Sequence, residues 1–151
     1  MHIEVTTSPA PEDLRFLSEG IQDYNRRTVP GIAEVSDDLR FAAFARDTDG
    51  NLLGGIRAGA FWGYLCIELL WLSEAARGGG IGSQLVASAE AFARKHGFTR
   101  ARVETTSFQA RPFYERLGYA VFGVLEDCPP GHCSYYLKKD LGEVTNGATA
   151  D

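Results

Sequence analysis

The sequence predicts one α/β domain: a mixed central β-sheet flanked by helices on both faces. Three observations lead there. Apolar–polar alternation broken by turn signals marks two consecutive hairpins early in the chain. An apolar stripe at helical spacing runs from Gly79 to Lys95. Strand and helix patterns then alternate, in the order strand–helix–strand–helix–strand–strand. At 151 residues, 44% hydrophobic and 23% charged, the composition is that of a globular chain able to bury a core. Residues 1–141 read as the domain, and the small, polar segment 142–151 reads as a disordered tail.

Ile3–Thr6 alternate, predicting an opening edge strand. Pro11, Glu12 and Asp13 then suit a helix start, where proline loses no hydrogen bond and acids meet the positive end of the dipole. Leu14, Leu17, Ile21 and Tyr24 follow at helical spacing, so a helix is expected from Pro11 to about Arg27, stopped by Val29-Pro30-Gly31. Strands are expected over Leu39–Arg46, Leu52–Trp62 and Tyr64–Leu72. Asp49-Gly50 turns the first pair and Gly63 the second. In the long helix Ile81, Leu85, Val86, Ala89, Phe92 and Ala93 form the buried stripe. Gly97 stops it, with Lys95 and His96 placed to cap the carbonyl end. A strand at Arg100–Thr106, a short helix from Gln109 to Leu117, and strands at Tyr119–Glu126 and Cys133–Lys139 complete the pattern.

Several function classes are disfavoured. The formal charge is −5 and the cations are scattered, whereas nucleic-acid binding draws its affinity from a basic face. No apolar run reaches the ~20 residues that cross a bilayer, and no secretory signal precedes the first elements, so a cytoplasmic protein without membrane partners is expected. Cys128, His132 and Cys133 flank a Pro-Pro-Gly-His turn. They offer at most three metal ligands and no second cluster completes a tetrahedral set, so no metal is expected.

The most informative segment joins the third strand to the long helix: Arg77-Gly78-Gly79-Gly80-Ile81-Gly82-Ser83. Four glycines in five positions let a ligand approach the backbone closely. The first amides of the helix point out of the same turn, backed by the dipole and by Arg77, which makes a site for a pyrophosphate. A nucleotide P-loop would end Gly-Lys-Ser/Thr, but Ser83-Gln84 follow Gly82 here, with no lysine. A dinucleotide fingerprint would need glycine at Leu85.

These residues resemble the R/Q-x-x-G-x-G/A signature of the GCN5-related N-acetyltransferases (GNAT). A second block, Ser107-Phe108-Gln109-Ala110-Arg111-Pro112-Phe113-Tyr114-Glu115-Arg116-Leu117-Gly118-Tyr119, resembles that family's N-x-x-A-x-x-x-Y-x-x-x-G-F segment. The resemblance runs from about Gly54 to Leu141. It implies acetyl-CoA as co-substrate. Arg77, Gly78, Gly79, Gly80, Ile81, Gly82 and Ser83 would hold its pyrophosphate. Leu70, Trp71 and Leu72 would offer backbone groups to the pantetheine arm, held like an extra strand in a splayed gap of the sheet. Ser107 replaces the family's asparagine, and Glu74 the usual proline before the arginine.

Attack by an amine on a thioester needs a neutral nucleophile, stabilisation of charge on the carbonyl oxygen and a proton for the departing thiolate. Tyr114 stands where the family places that acid; a buried aromatic with a satisfied hydroxyl is the alternative. Glu68 interrupts the apolar run Leu65–Leu72 and is the candidate base, directly or through water; a partner of Arg57 on the neighbouring strand is the alternative. Cys66, Glu68 and Leu70 are expected on one face. Glu104, His132 and Glu126 are weaker base candidates. Acceptor contacts are expected from Tyr24 and Asn25, from Phe61, Trp62 and Tyr64, and from the Cys128–Cys133 turn. Aromatics beside carboxylates suit a small cationic amine or simple packing. The expected function is acetyl transfer to a primary amine of a small molecule. A protein-amine acetyltransferase and a non-catalytic acyl-CoA-binding module are the alternatives. A homodimer is compatible with such a fold.

Overall fold

The computed structural model describes residues 1–142, so the expected tail lies almost wholly outside the described residues. The chain forms two compact units. The first, Met1–Asp37, contains helix α1 (Pro11–Thr28) and a 3₁₀ turn at Val35–Asp37. Proline occupies the first turn of α1 with Glu12 and Asp13, and Arg26 and Arg27 occupy the last, as the dipole favours. Ile3–Thr6 form no strand. Alternation alone does not make one: a strand exists only where a ladder satisfies its amides, and none does there.

The second unit, from Asp38 on, is a six-stranded mixed sheet. Its strands are β1 (Leu39–Arg46), β2 (Leu52–Phe61), β3 (Tyr64–Leu72), β4 (Arg100–Thr106), β5 (Ala120–Glu126) and β6 (Cys133–Asp140), in the order β1-β2-β3-β4-β6-β5. Only β3 and β4 are parallel. Helix α2 (Ile81–Lys95) makes the crossover between them, and the short α3 (Arg111–Arg116) joins β4 to β5.

The turns follow their chemistry. Asp47 closes the first hairpin by accepting the amides of Asp49 and Asn51 at 2.9 and 2.8 Å; bonds from Asn51, side chain first, lower its pKa. Trp62 and Gly63, both at positive φ, make the two-residue turn of the second. At the end of α2, His96 Nδ1 lies 2.8 Å from the Phe92 carbonyl. That is the capping role expected of it.

α2 packs its stripe on one face of the sheet. Leu85, Val86, Ala89 and Ala93 meet Ile56, Ala58, Leu65, Ile67, Ala101, Val103 and Leu137 in one core. One buried polar group sits on that stripe. Glu90, 5% exposed, accepts the Tyr119 hydroxyl at 3.0 Å and both its oxygens take Lys139 Nζ at 2.9 Å. Burial, then the Glu90 charge, push the Tyr119 phenol well above its ordinary pKa. Glu90 follows Val86 by four residues and precedes Ala93 by three, so helical spacing places it on the buried stripe. Removing one partner of a buried ion pair typically costs ~3–5 kcal/mol. Lys139→Met should therefore lower the denaturant midpoint sharply with an unchanged m-value, whereas Lys138→Met one position away should shift it little.

Candidate active site

The pairing of β3 with β4 begins at Tyr64↔Arg100 and stops at Ile67↔Val103. β3 continues to Leu72 and β4 to Thr106, each paired only on its other side. The strands fork, and the edge of β3 facing β4 is left without ladder partners from Glu68 to Leu72. A cavity of about 570 Å³ fills the fork. Its β3 wall is Ile67–Leu72, its β4 wall Val103–Thr105, and Arg77, Gly82, Phe108–Ala110, Phe113 and Tyr114 close the rest.

A β-bulge shapes this wall. Between Arg57 and Ala58 the register with β3 slips, so that Arg57 pairs with Leu69 and Ala58 with Ile67. Glu68 is the extra residue. It reverses the facing beyond it: Leu70 and Leu72 pack against the core, while Trp71 is 57% exposed on the other side. Cys66, Glu68 and Leu70 therefore do not share a face, because uninterrupted alternation fails at the bulge. Glu68 is also less costly than its apolar neighbours suggest. Its side chain is 44% exposed and takes Arg57 Nε at 2.8 Å, the pairing held as its alternative role. An exposed pair of this kind contributes little stability, so it does not by itself explain the carboxylate.

At the glycine turn before α2, Gly78 and Gly80 adopt φ of 82° and 78°, left-handed conformations that strain other residues. Gly80 is the N-cap of α2, and no side chain caps the helix. The first intrahelical bond reaches Gly80 O from Gln84 N, so the amides of Ile81, Gly82 and Ser83 precede the ladder. Gly82 lines the cavity, and a Cβ there would stand 3.4 Å from the Phe113 ring and 3.5 Å from Leu72. Arg77 Nε donates to the Leu72 carbonyl at 3.1 Å, which folds its guanidinium onto the end of β3. Gly78, Gly79, Gly80, Ile81 and Ser83 form the turn without lining the cavity.

Tyr114 stands in the far wall, 4% exposed, its ring set edge-on between Phe113 at 5.1 Å and Tyr119 at 5.6 Å. Burial raises its pKa to about 12. The proton thus stays on the phenol throughout the neutral range, and full transfer to a thiolate of ordinary pKa is uphill. Tyr114 can serve by hydrogen bonding to a departing sulfur.

Ser107 lies beside the cavity rather than in it. Its hydroxyl is 3.3 Å from His132 Nδ1 and accepts the Cys133 amide at 3.3 Å, while Phe108 packs edge-on against the His132 ring at 4.8 Å. His132 thereby ties the last hairpin to the β4–α3 turn. Among the described residues no group of three or more His, Cys, Asp or Glu is arranged to hold a metal.

Glu104 stands across the fork from Glu68 and lines the same cavity. The Tyr136 hydroxyl lies against it, and the Glu104 charge holds that phenol above its ordinary pKa. The two carboxylates occupy the positions immediately after the last β3–β4 pair. The sequence ranked Glu104 low because strand alternation alone does not show where two strands part.

No helix among the described residues is long and apolar enough to cross a membrane. Residues 7–119 match the model of the Acetyltransferase (GNAT) family. A blasticidin-S acetyltransferase of Streptomyces morookaense is 43% identical over 102 residues, 67% of this chain and 75% of the relative. The crystal structure of an acetyltransferase from Bacillus cereus superposes with a TM-score of 0.81 at 28% identity, over 93% of this chain and 98% of that one. An aminoglycoside 6′-N-acetyltransferase complexed with coenzyme A shares the fold at 21% identity and a TM-score of 0.62, over 89% of this chain and 96% of that one. A parallel β3–β4 crossover with a glycine turn opening its helix, a forked sheet and a family match over most of the chain converge: the protein belongs to the GNAT acetyltransferase family and is an acyltransferase.

Proposed function

We propose that the enzyme transfers the acetyl group of acetyl-CoA to a primary amine of a small molecule, by direct attack while both substrates are bound. The fork between β3 and β4 carries this reading. A polar, strand-like arm laid along β3 can exchange hydrogen bonds with the backbone of Leu70, Trp71 and Leu72, whose β4-facing edge has no ladder partner. The amides of Ile81, Gly82 and Ser83 and the positive end of α2 stand at one end of that path to hold a pyrophosphate. The missing Cβ of Gly82 keeps that end open. The fit is one of donor geometry, so it does not depend on the chain's negative charge.

Acetyl-CoA supplies an acyl group activated as a thioester; the chain's residues align and deprotonate. Glu68 receives the proton of the attacking amine, directly or through water, at the point where the strands part. Its half-exposed carboxylate keeps access to solvent for returning that proton. Tyr114 donates a hydrogen bond to the departing sulfur from within the apolar wall. Alignment itself supplies much of the acceleration, so no covalent enzyme intermediate is needed. The relative that is a blasticidin-S acetyltransferase favours a small-molecule acceptor over a protein amine.

A panel of amines with acetyl-CoA, read by release of free thiol, tests the reading. Turnover on small primary amines is expected. Thiol release only with peptides would move the function to protein acetylation. Tight coenzyme A binding without turnover on any amine would make the chain a non-catalytic acyl-CoA module.

A further inference from the structure

We propose that a second cavity, on the sheet face opposite α2, receives an aromatic carboxylate, and that this group is the distal end of the acceptor. The existence of the site rests on its own geometry; its link to the acceptor rests on the acyl-transfer reading above.

The cavity, of about 580 Å³, is lined by Phe61, Trp62, Tyr64, Arg102, Phe122 and Lys138. Four rings and two cations surround it, and none of the six side chains is acidic. The fold assembles this set from five strands, β2 to β6, and the turn between β2 and β3. Phe61 pairs with Tyr64 across the Trp62-Gly63 turn. Cys66 pairs with Arg102, and Arg102 pairs with Lys138 on β6. Phe122 comes from β5, over the Tyr136 ring at 6.3 Å.

Arg102 and Lys138 are like charges directly opposite one another on one face, an arrangement that destabilises a sheet. No lining carboxylate offsets it. The Arg102 guanidinium rests over Phe61 at 5.6 Å and Lys138 Nζ over Phe122 at 5.8 Å. Arg100 adds a third cation over Tyr64 at 4.9 Å. The acid opposite Arg100, Asp140, has a carboxylate oxygen on the Gly142 amide at 2.8 Å. Three cations gathered on a chain of net charge −5 make a local anion site. Arg102 spends its Nε on Cys66 Sγ at 3.0 Å, and a guanidinium has four further donors. The ring faces define the other half of the ligand. Trp62 and Phe122 are each more than half exposed, a large aromatic surface suited to stacking on a flat ring.

The sequence left these aromatics two readings, a small cationic amine beside carboxylates or simple packing; the structure sets those of the second hairpin beside cations.

Tyr64 and Glu68 lie four residues apart on β3, about 13 Å along the strand. A single acceptor can therefore place its amine at the fork and its ring and carboxylate in this cavity. The cavity should also discriminate against polyamines, whose second charge it repels.

The test uses the full chain saturated with coenzyme A. Calorimetric titration with 4-pentylbenzoate should show binding. Binding of the uncharged 4-pentylbenzamide should be weaker by about tenfold or more, as should benzoate binding to Lys138→Glu. Lys138→Met provides the same comparison if the charge reversal fails to fold. In turnover, 4-(5-aminopentyl)benzoate should exceed 4-(5-aminopentyl)benzamide by a similar factor in kcat/KM, and Lys138→Glu should abolish the preference with coenzyme A affinity unchanged. Absent or equal binding of benzoate and benzamide overturns the site. Benzoate binding with no acceptor preference overturns the link to the acceptor. Benzoate binding with no acetylation of any amine upholds the site and overturns the acyl-transfer reading.

Discussion

Tyr114→Phe is expected to lower kcat by about 10²–10³-fold, the usual cost of losing one positioned hydrogen-bond donor to developing charge, with acetyl-CoA affinity retained. The variant keeps the ring between Phe113 and Tyr119, in the wall of the fork, and removes only the hydroxyl. The loss should fall on kcat more than on KM, because a bond to the departing sulfur matters chiefly in the transition state. The pH dependence is also specified. With a phenol pKa of about 12, the wild-type rate should not decline through ionisation of Tyr114 below about pH 11. Stability should behave differently. The folded pKa lies above the unfolded value near 10, so the unfolded chain holds fewer protons and stability falls as pH rises from about 10 to about 12. Tyr114→Phe should soften that loss. Undiminished turnover by the variant would leave Tyr114 as a packed aromatic with no part in stabilising the departing sulfur.

Gly82→Glu is expected to weaken coenzyme A binding by about 10²-fold or more, since like charges brought together at a binding surface cost several kcal/mol. The position lines the fork and belongs to the first turn of α2. A Cβ there makes ordinary contacts with Phe113 and Leu72, and an acid suits a helix start. Far-UV circular dichroism should therefore change little. Gly82→Ala separates bulk from charge: it should lose much less affinity. If Gly82→Glu unfolds globally while its folded fraction still binds, glycine is needed there for packing and not for the ligand.

Much of this arrangement was legible before the structure. β1 and β3 begin and end where alternation and turn residues place them, because Asp49-Gly50 and Gly63 leave few ways to close the hairpins. The glycine turn that opens α2 was equally legible, since Gly78 and Gly80 take left-handed φ just ahead of the helix. What stayed hidden depends on pairing between distant strands. The bulge at Glu68 sends Leu70 to the core face, and only the register with Arg57 and Ala58 reveals it. Glu104 gained its place opposite Glu68 because β3 and β4 part after Val103. Arg102 and Lys138 are 36 residues apart in the chain and meet only through the β4–β6 ladder. Ile3–Thr6 show the converse: a strand pattern without a partner strand.

Thermal unfolding with and without coenzyme A tests most directly whether the β3–β4 fork is a coenzyme A site. Ligand at ~100 times its dissociation constant should stabilise the fold by about 2.7 kcal/mol, a rise of several degrees in Tm for a chain of this size. Gly82→Glu should lose that rise at the same concentration. An unchanged Tm with coenzyme A, together with a rise given by ATP or a nicotinamide dinucleotide, would contradict the account.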